Sequence, residues 1–168
     1  MVRGLLNIEF KKNFCEDCVL DKHQRASFPK TTEYQVKEQL SLVHTDVCGP
    51  ITPVSFSGKR YFLIFIDDFS RKTWVYFLQE KSEVFGVFKK FKVMIENETG
   101  TKIKVVRSDR GGEYTSAEFM RYWEELDIRR FLTASYSPQQ NGVAKRKNQT
   151  ILNMVRAMLK GKNMSKEF

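Results

Sequence analysis

Three residues set out the chemistry open to this chain. They are Asp46 in Val43-His44-Thr45-Asp46-Val47, Asp109 in Arg107-Ser108-Asp109-Arg110-Gly111-Gly112, and Lys145 in Asn141-Gly142-Val143-Ala144-Lys145-Arg146-Lys147-Asn148. Both aspartates end apolar runs, where a sheet would present a carboxylate to solvent. Carboxylates gathered from distant segments are ligands for hard divalent cations. Taken singly, an Asp at a strand end is most often a turn or capping group, so the pair gains meaning only from its surroundings. Lys145 follows Asp109 with 35 residues between them and brings a cation into the same pattern.

Two further groups have chemical potential. Cys15-x-x-Cys18 has the thiolate spacing of a zinc knuckle, but a structural zinc site needs four ligands. No His precedes Cys15, and His23 follows the knuckle, poorly placed to complete it. Gln139, Gln140 and Asn141 offer amides at the start of a helix that continues into Arg146 and Lys147, and Arg110 stands beside Asp109. Amides and cations at a helix start suit phosphate and sugar; the plainer alternative is a capping loop without a ligand.

Charge supports the first of these. The chain carries 29 Lys+Arg against 20 Asp+Glu, a net +9. From Asn141 to Phe168, seven Lys/Arg face one Glu, so +6 of the +9 falls in the last 28 residues. Such a block attracts polyanions, although a solvated helix face would also carry it. Three Cys with no signal peptide make no disulfide framework. No apolar stretch nears the roughly 20 residues that span a bilayer, so a soluble intracellular protein without a membrane partner is the expectation.

The elements that must position these residues are legible from residue 40 onward. Residues 1–39 are polar and aperiodic apart from the knuckle, with a linker over Ser27-Phe28-Pro29-Lys30-Thr31-Thr32. Strands are expected over 42–47, 61–67, 73–79, 104–108 and 128–133. The second is a nearly continuous apolar run, as a central strand buried on both faces requires, and the third forms a hairpin with it. Ser82 is expected to cap a helix with Val84, Phe85, Phe88, Phe91 and Ile95 on one stripe, ended by Gly100. Thr115-Ser116-Ala117-Glu118 has the capping-box pattern and starts a helix with Phe119, Trp123 and Leu126 on one face. Residues 135–140 form a Pro-containing loop. A last helix begins near Asn141-Gly142, with Ile151, Leu152, Val155, Met158 and Leu159 expected to face inward. With 41% hydrophobic residues, and 14 Phe in the chain, there is enough to bury one domain's core.

His44-Thr45-Asp46-Val47-Cys48-Gly49-Pro50, Phe65-Ile66-Asp67-Asp68-Phe69-Ser70-Arg71, Arg107-Ser108-Asp109-Arg110-Gly111-Gly112-Glu113-Tyr114 and Ser137-Pro138-Gln139-Gln140-Asn141-Gly142-Val143-Ala144 followed by Arg146-Lys147-Asn148 occur in this order. In words, order and spacing, over nearly the whole chain, they resemble the integrase core of copia-type LTR retrotransposon Pol polyproteins, within the retroviral integrase superfamily. The resemblance implies an α/β, RNase H-like fold of order βββαβαβα: a five-stranded mixed sheet flanked by helices. It divides the chain into residues 1–39, a remnant of an HHCC-type pre-integrase zinc segment with its linker, and residues 40–168, a catalytic core truncated at its C-terminus.

The resemblance also implies DNA integration by metal-dependent polynucleotidyl transfer, with Mg²⁺ or Mn²⁺ held by three carboxylates. Asp46 would bridge two ions, Asp109 would hold one, and the third ligand would be a glutamate at position 145. Here that position is Lys145, so the departure predicts weak divalent binding and little or no catalysis. Glu113, in a Gly-rich turn, is read as a local structural carboxylate, and Asp67 and Asp68 as turn-shaping acids. Zn²⁺ binding is not expected from the half site. The implied partner is DNA, with a homodimer through helical surfaces, no small-molecule substrate, and a nuclear place of action. The alternative is a non-enzymatic nucleic-acid-binding or protein-interaction protein reusing the same fold.

Overall fold

A computed structural model describes residues 36–132, 141–165 and 167. Cys15, Cys18, His23, Gln139 and Gln140 therefore lie outside the described residues, as do the linker and the 135–140 loop.

Five strands form one sheet: β1 (Val43–Cys48), β2 (Tyr61–Asp67), β3 (Thr73–Leu78), β4 (Val105–Ser108) and β5 (Arg129–Leu132), in the order β3-β2-β1-β4-β5. β2 runs antiparallel to both β1 and β3, whereas β4 runs parallel to β1 and to β5. Three α-helices follow β3, β4 and β5: α1 (Val84–Thr99), α2 (Ala117–Glu125) and α3 (Gly142–Gly161). The order βββαβαβα and the mixed sheet agree with the expected fold.

Burial explains the pattern of β2. Alternate side chains of a strand point to opposite faces, and here both faces are covered. Leu63 and Phe65 join Val43, Phe88, Phe91, Phe119 and Trp123 on one side. Phe62, Ile64 and Ile66 join Ala144 of α3 on the other. The larger core is an aromatic stack, with Phe65 over Phe91 at 4.1 Å and Phe119 over Trp123 at 4.7 Å between ring centroids. The smaller core is made by α3 lying across β1 and β2, and this contact sets the position of residue 145.

Helix boundaries depart from expectation where caps compete. Ser82 does not cap α1. A 3-10 turn over Lys81–Glu83 precedes it, and Glu83 Oε1 accepts from the Gln79 and Glu80 amides at 2.6 and 2.8 Å. A carboxylate accepting two amides offers more at this exposed start than one hydroxyl, and Ser82 Oγ instead donates to Glu80. Gly100 ends α1 in the left-handed region, φ 67°, a conformation open to Gly without a Cβ penalty. Ser116, one residue later than the capping-box reading, caps α2 by accepting from the Phe119 amide. Leu126 then falls at the C-cap and is exposed, because α2 ends before another turn can bring it inward.

The last helix shows the largest difference. Ile151 and Leu152 pack against the smaller core, but Val155 and Met158 are exposed, at 39% and 58%. The sheet supports only the first half of α3, so the stripe continues past the surface that would cover it.

A candidate active site with two carboxylates and a lysine

Asp46 is the buried centre of the site. It lies midway along β1, paired with Ile64 of β2, and is only 7% exposed. The start of α3 grips both carboxylate oxygens. Asn141 Nδ2 donates to Oδ1 at 3.1 Å, and Asn148 Nδ2 donates to Oδ2 at 2.8 Å. Residues seven apart return to one face of an α-helix, so these two amides dock α3 on β1. Lys145 lies between them in sequence, three residues before Asn148 and four after Asn141.

Asp109 follows β4 at once and accepts from the Gly111 amide at 3.0 Å, which folds the Asp-Arg-Gly-Gly segment into a tight turn. Because β4 pairs in parallel with β1, with His44 opposite Arg107, continuing that register sets Asp109 level with Asp46 on the adjacent strand. Their proximity shows electrostatically. Burial pushes the Asp46 carboxyl up to about 6, and the charge of Asp109 adds to the rise. Lys145 and the Asn148 hydrogen bond oppose it, and Glu113 adds a smaller upward push. Asp46, Asp109, Lys145 and Glu113 therefore share one electrostatic neighbourhood.

Glu113 is more enclosed than its place in a turn suggests: its side chain is 8% exposed, 3.7 Å from the Lys81 ammonium. A Cβ on Gly111 would fall 2.6 Å from the Glu113 carboxyl carbon, so a glycine there leaves the carboxylate room to fold over the turn. The next residue, Tyr114, is fully buried and hydrogen-bonds Thr45 at 2.9 Å, while Arg130 donates to its carbonyl at 2.7 Å. These contacts tie the turn after Asp109 to the residue preceding Asp46.

Asp67 shapes a turn, as its position implied, accepting from Leu40 N and from Ser70 N and Oγ. Asp68 does more than shape a turn, since its Oδ1 meets His44 Nε2 at 3.0 Å and Arg71 Nη1 at 2.8 Å. Burial holds the His44 imidazole below its usual range despite Asp68, so the first contact is a hydrogen bond from a neutral ring rather than an ion pair.

Asn141 is turned toward the protein interior. Its sequence position offered it to nucleic acid, but its side chain is fully buried and its Nδ2 is directed at Asp46 and the Thr45 carbonyl. Asn148 and Tyr114 were missed. Asn148 reads as one more polar residue on a basic helix, and only its seven-residue spacing from Asn141 marks it. Arg110 and Arg146 are exposed, and Lys147 is half-buried on α3.

The donor set is short of a full divalent site. Among the described residues, no three His, Cys, Asp or Glu side chains lie together so that they could hold one ion. Asp109 lies within electrostatic reach of Asp46, both oxygens of Asp46 already accept amides, and the exposed Lys145 adds a cation to the same neighbourhood. No step through a metal follows from this arrangement.

Residues 37–138 match the integrase core domain family. Over 154 residues the chain is 48% identical to the retrovirus-related Pol polyprotein from transposon TNT 1-94 of Nicotiana tabacum, covering 92% of this chain and 12% of that protein. It is 33% identical over 165 residues to the Pol polyprotein from transposon RE2 of Arabidopsis thaliana, covering 98% and 11%. The chain thus spans about a tenth of these relatives' length. In fold it is similar to a chain of the simian T-cell lymphotropic virus intasome solved with PP2A regulatory subunit B56 gamma, with a TM-score of 0.57, 17% identity, and coverage of 71% of this chain and 41% of that one. A five-stranded mixed sheet presenting Asp46 and Asp109 together, and a family match across both strands that deliver them, place the chain in the integrase core domain family, in the form carried by copia-type retrotransposon Pol polyproteins.

Proposed function

We propose that this chain is the DNA-engaging catalytic core of a retrotransposon integrase in which strand transfer is impaired by Lys145. Integrase cores join DNA ends by polynucleotidyl transfer with divalent ions, which supply an activated nucleophile and a stabilised leaving oxygen. The observation that carries the reading is the grip of Asn141 and Asn148 on Asp46. It docks α3 on the strand that carries Asp46, which supports reading residue 145 as the neighbour of the carboxylate pair, where a glutamate would complete three ligands.

The magnitude of the loss follows from charge. At about 4 Å, one unit pair is worth roughly 1 kcal/mol in water and about 4 kcal/mol at an effective dielectric near 20, and a divalent ion doubles either figure. Lys145 is exposed, so the lower end applies to its repulsion, and the missing oxygen ligand adds to it. Each 1.4 kcal/mol is about tenfold in rate, which makes the expected impairment at least tens of fold. Asp46 and Asp109 are the residues that would hold a divalent ion. Arg110, Arg146 and Lys147 are the exposed or half-buried cations best placed for DNA, with Gln139 and Gln140 preceding the same helix. An integrase core works where chromosomal DNA is, hence in the nucleus, and no described helix is long and apolar enough to cross a membrane.

The test is Lys145→Glu. Divalent-dependent nicking or joining of a DNA end should rise at least tens of fold over the chain as it stands, and Asp46→Asn in that background should abolish the gain. If both forms join ends equally well with Mg²⁺, Lys145 is not the cause of impairment and Glu113 becomes the first candidate for the third ligand. The second reading, a nucleic-acid-binding protein without catalysis, rests on Lys145 alone and is favoured if Lys145→Glu gains divalent affinity but no activity.

A further inference from the structure

α3 has two flanks, and only one faces the carboxylates. At about 100° per residue, Lys145 and Lys147 point some 200° apart around the helix. Lys147 faces the β2–β3 hairpin, where a groove of about 340 Å³ runs between hairpin and helix. Ile66 and Val143 form its apolar lining, and three cations line it as well: Arg71 from the hairpin, and Arg146 and Lys147 from α3. The bordering hydroxyls of Thr73 and Thr150 donate to the Arg71 and Arg146 carbonyls. The donors left for a ligand are guanidinium and ammonium hydrogens.

Three observations show that these cations are held in place at some cost. Arg71 adopts φ 59°, a left-handed conformation that is unfavourable for a non-glycine residue. Its guanidinium is nevertheless oriented, because Asp68 is shared between it and the buried His44. One ion pair engages only part of a five-donor group, so Arg71 keeps donors for a second anion. Arg146 folds back over the first turn of α3, with Nη1 2.9 Å from the point a Cβ on Gly142 would occupy. Finally, α3 contains no acidic residue, and its first two turns carry Lys145, Arg146 and Lys147. Cations at the positive end of a helix dipole oppose stability, and a locally unfavourable arrangement of this kind points to a ligand that offsets it.

We propose that this groove is a phosphodiester-binding subsite that holds the backbone of a DNA strand on the flank of α3 opposite Lys145. The proposal rests on the reading that the chain engages DNA, and adds where a strand is held away from the carboxylates. Asp68 offsets one of the three cations, which leaves two net positive charges for phosphate. α3 is about 10 Å wide with its side chains, so the subsite stands roughly one helix width from Asp46. A strand crossing the N-terminal half of α3 would touch both flanks.

The experiment is a salt titration of binding to a short labelled duplex, followed by fluorescence anisotropy without divalent metal. It compares the full chain with Arg71→Ala/Lys147→Ala and with Lys90→Ala/Lys102→Ala, which removes equal charge outside the groove. Each lost phosphate contact lowers the slope of log K against log salt by about 0.9. The groove variant should lose roughly two from its slope, and the control should keep the parent slope. Thr150→Glu removes no structural contact of the hairpin and places a carboxylate at the groove edge; it should weaken binding at least tenfold, which keeps the test decisive if Arg71→Ala unfolds. If the parent binds with a steep slope that the groove variants leave unchanged, the subsite is wrong while DNA binding stands. If the parent itself shows no salt-dependent binding, the DNA reading and the subsite fall together.

Discussion

At the residue scale, Asp46 carries a conflict between folding and function. Its carboxyl titrates at about 6 rather than near 3.8, chiefly through burial and then through Asp109. A carboxyl whose folded value exceeds its unfolded value binds protons more tightly in the native state, so stability is greater below the unfolded value and declines as pH rises to about 6. With each unit worth 1.36 kcal/mol, the loss is on the order of 3 kcal/mol. Asp46→Asn removes the charge, and the unpaired Oδ1 atoms of Asn141 and Asn148 can accept from the new amide if either side chain flips. The variant should be more stable than its parent in urea unfolding at pH 8, by about 1–3 kcal/mol, with the gap closing toward pH 4. A gap independent of pH would show that Asp46 is not the titrating group. Lys145→Glu runs the other way. It removes the cation that holds the Asp46 carboxyl down, so without metal its melting temperature should fall below that of the parent. Added Mn²⁺ should raise the variant's melting temperature by more than it raises the parent's. Asp46, Asp109 and Lys145 were singled out in the sequence because their flanking words resemble a family; Asn148 was not, because an amide has no sequence signature until the strand it grips is known.

At the scale of elements, strand and helix type followed from periodicity, and errors gathered where a helix meets its support. β2 was read to the residue because burial on both faces leaves an uninterrupted apolar run with polar ends. The inward stripe of α3 was read too long, because periodicity records which residues share a face and not how far the neighbouring sheet extends. Ala144, fully buried against Phe62, Ile64 and Ile66, is where the helix lies against the sheet in the small core. Ala144→Leu should force α3 outward at a cost of about 1–3 kcal/mol and separate Asn148 from Asp46, so its damage should also appear as lost divalent affinity. The exposed second half of the helix should behave separately. Amides of 153–161 should exchange hydrogen well before those of 146–152, since local opening follows the number of buried contacts a segment makes. Equal protection along α3 would mean that something covers its outer half.

At the scale of the molecule, that outer half is the surface we propose for contact with another copy. Met154, Val155, Met158 and Met164 leave apolar side chains exposed along α3 and its end, and Arg156, Lys160 and Lys162 accompany them. The exposed stripe offers a second copy of the chain an apolar face to pack on, and the proposed homodimer would pair through it. Size sets its strength. Residues 154–164 rise about 15 Å if helical throughout, and one face of such a segment offers far less than the roughly 800 Å² per partner of a standard stable interface. The like charges flanking the stripe oppose a close match at low ionic strength. The expected behaviour is a chain that is monomeric at low micromolar concentration and self-associates weakly as protein and salt rise. This is the opposite salt dependence from DNA binding, because salt screens repulsion between copies and weakens attraction to phosphate. Sedimentation across a salt series separates the two. Met158→Glu places a carboxylate in the middle of the stripe, adds no strain at a 58% exposed position, and should abolish the salt-promoted association without lowering the melting temperature. Association that survives the substitution would move the dimer contact off α3, most directly to the exposed Val75 and Phe77 of the edge strand β3.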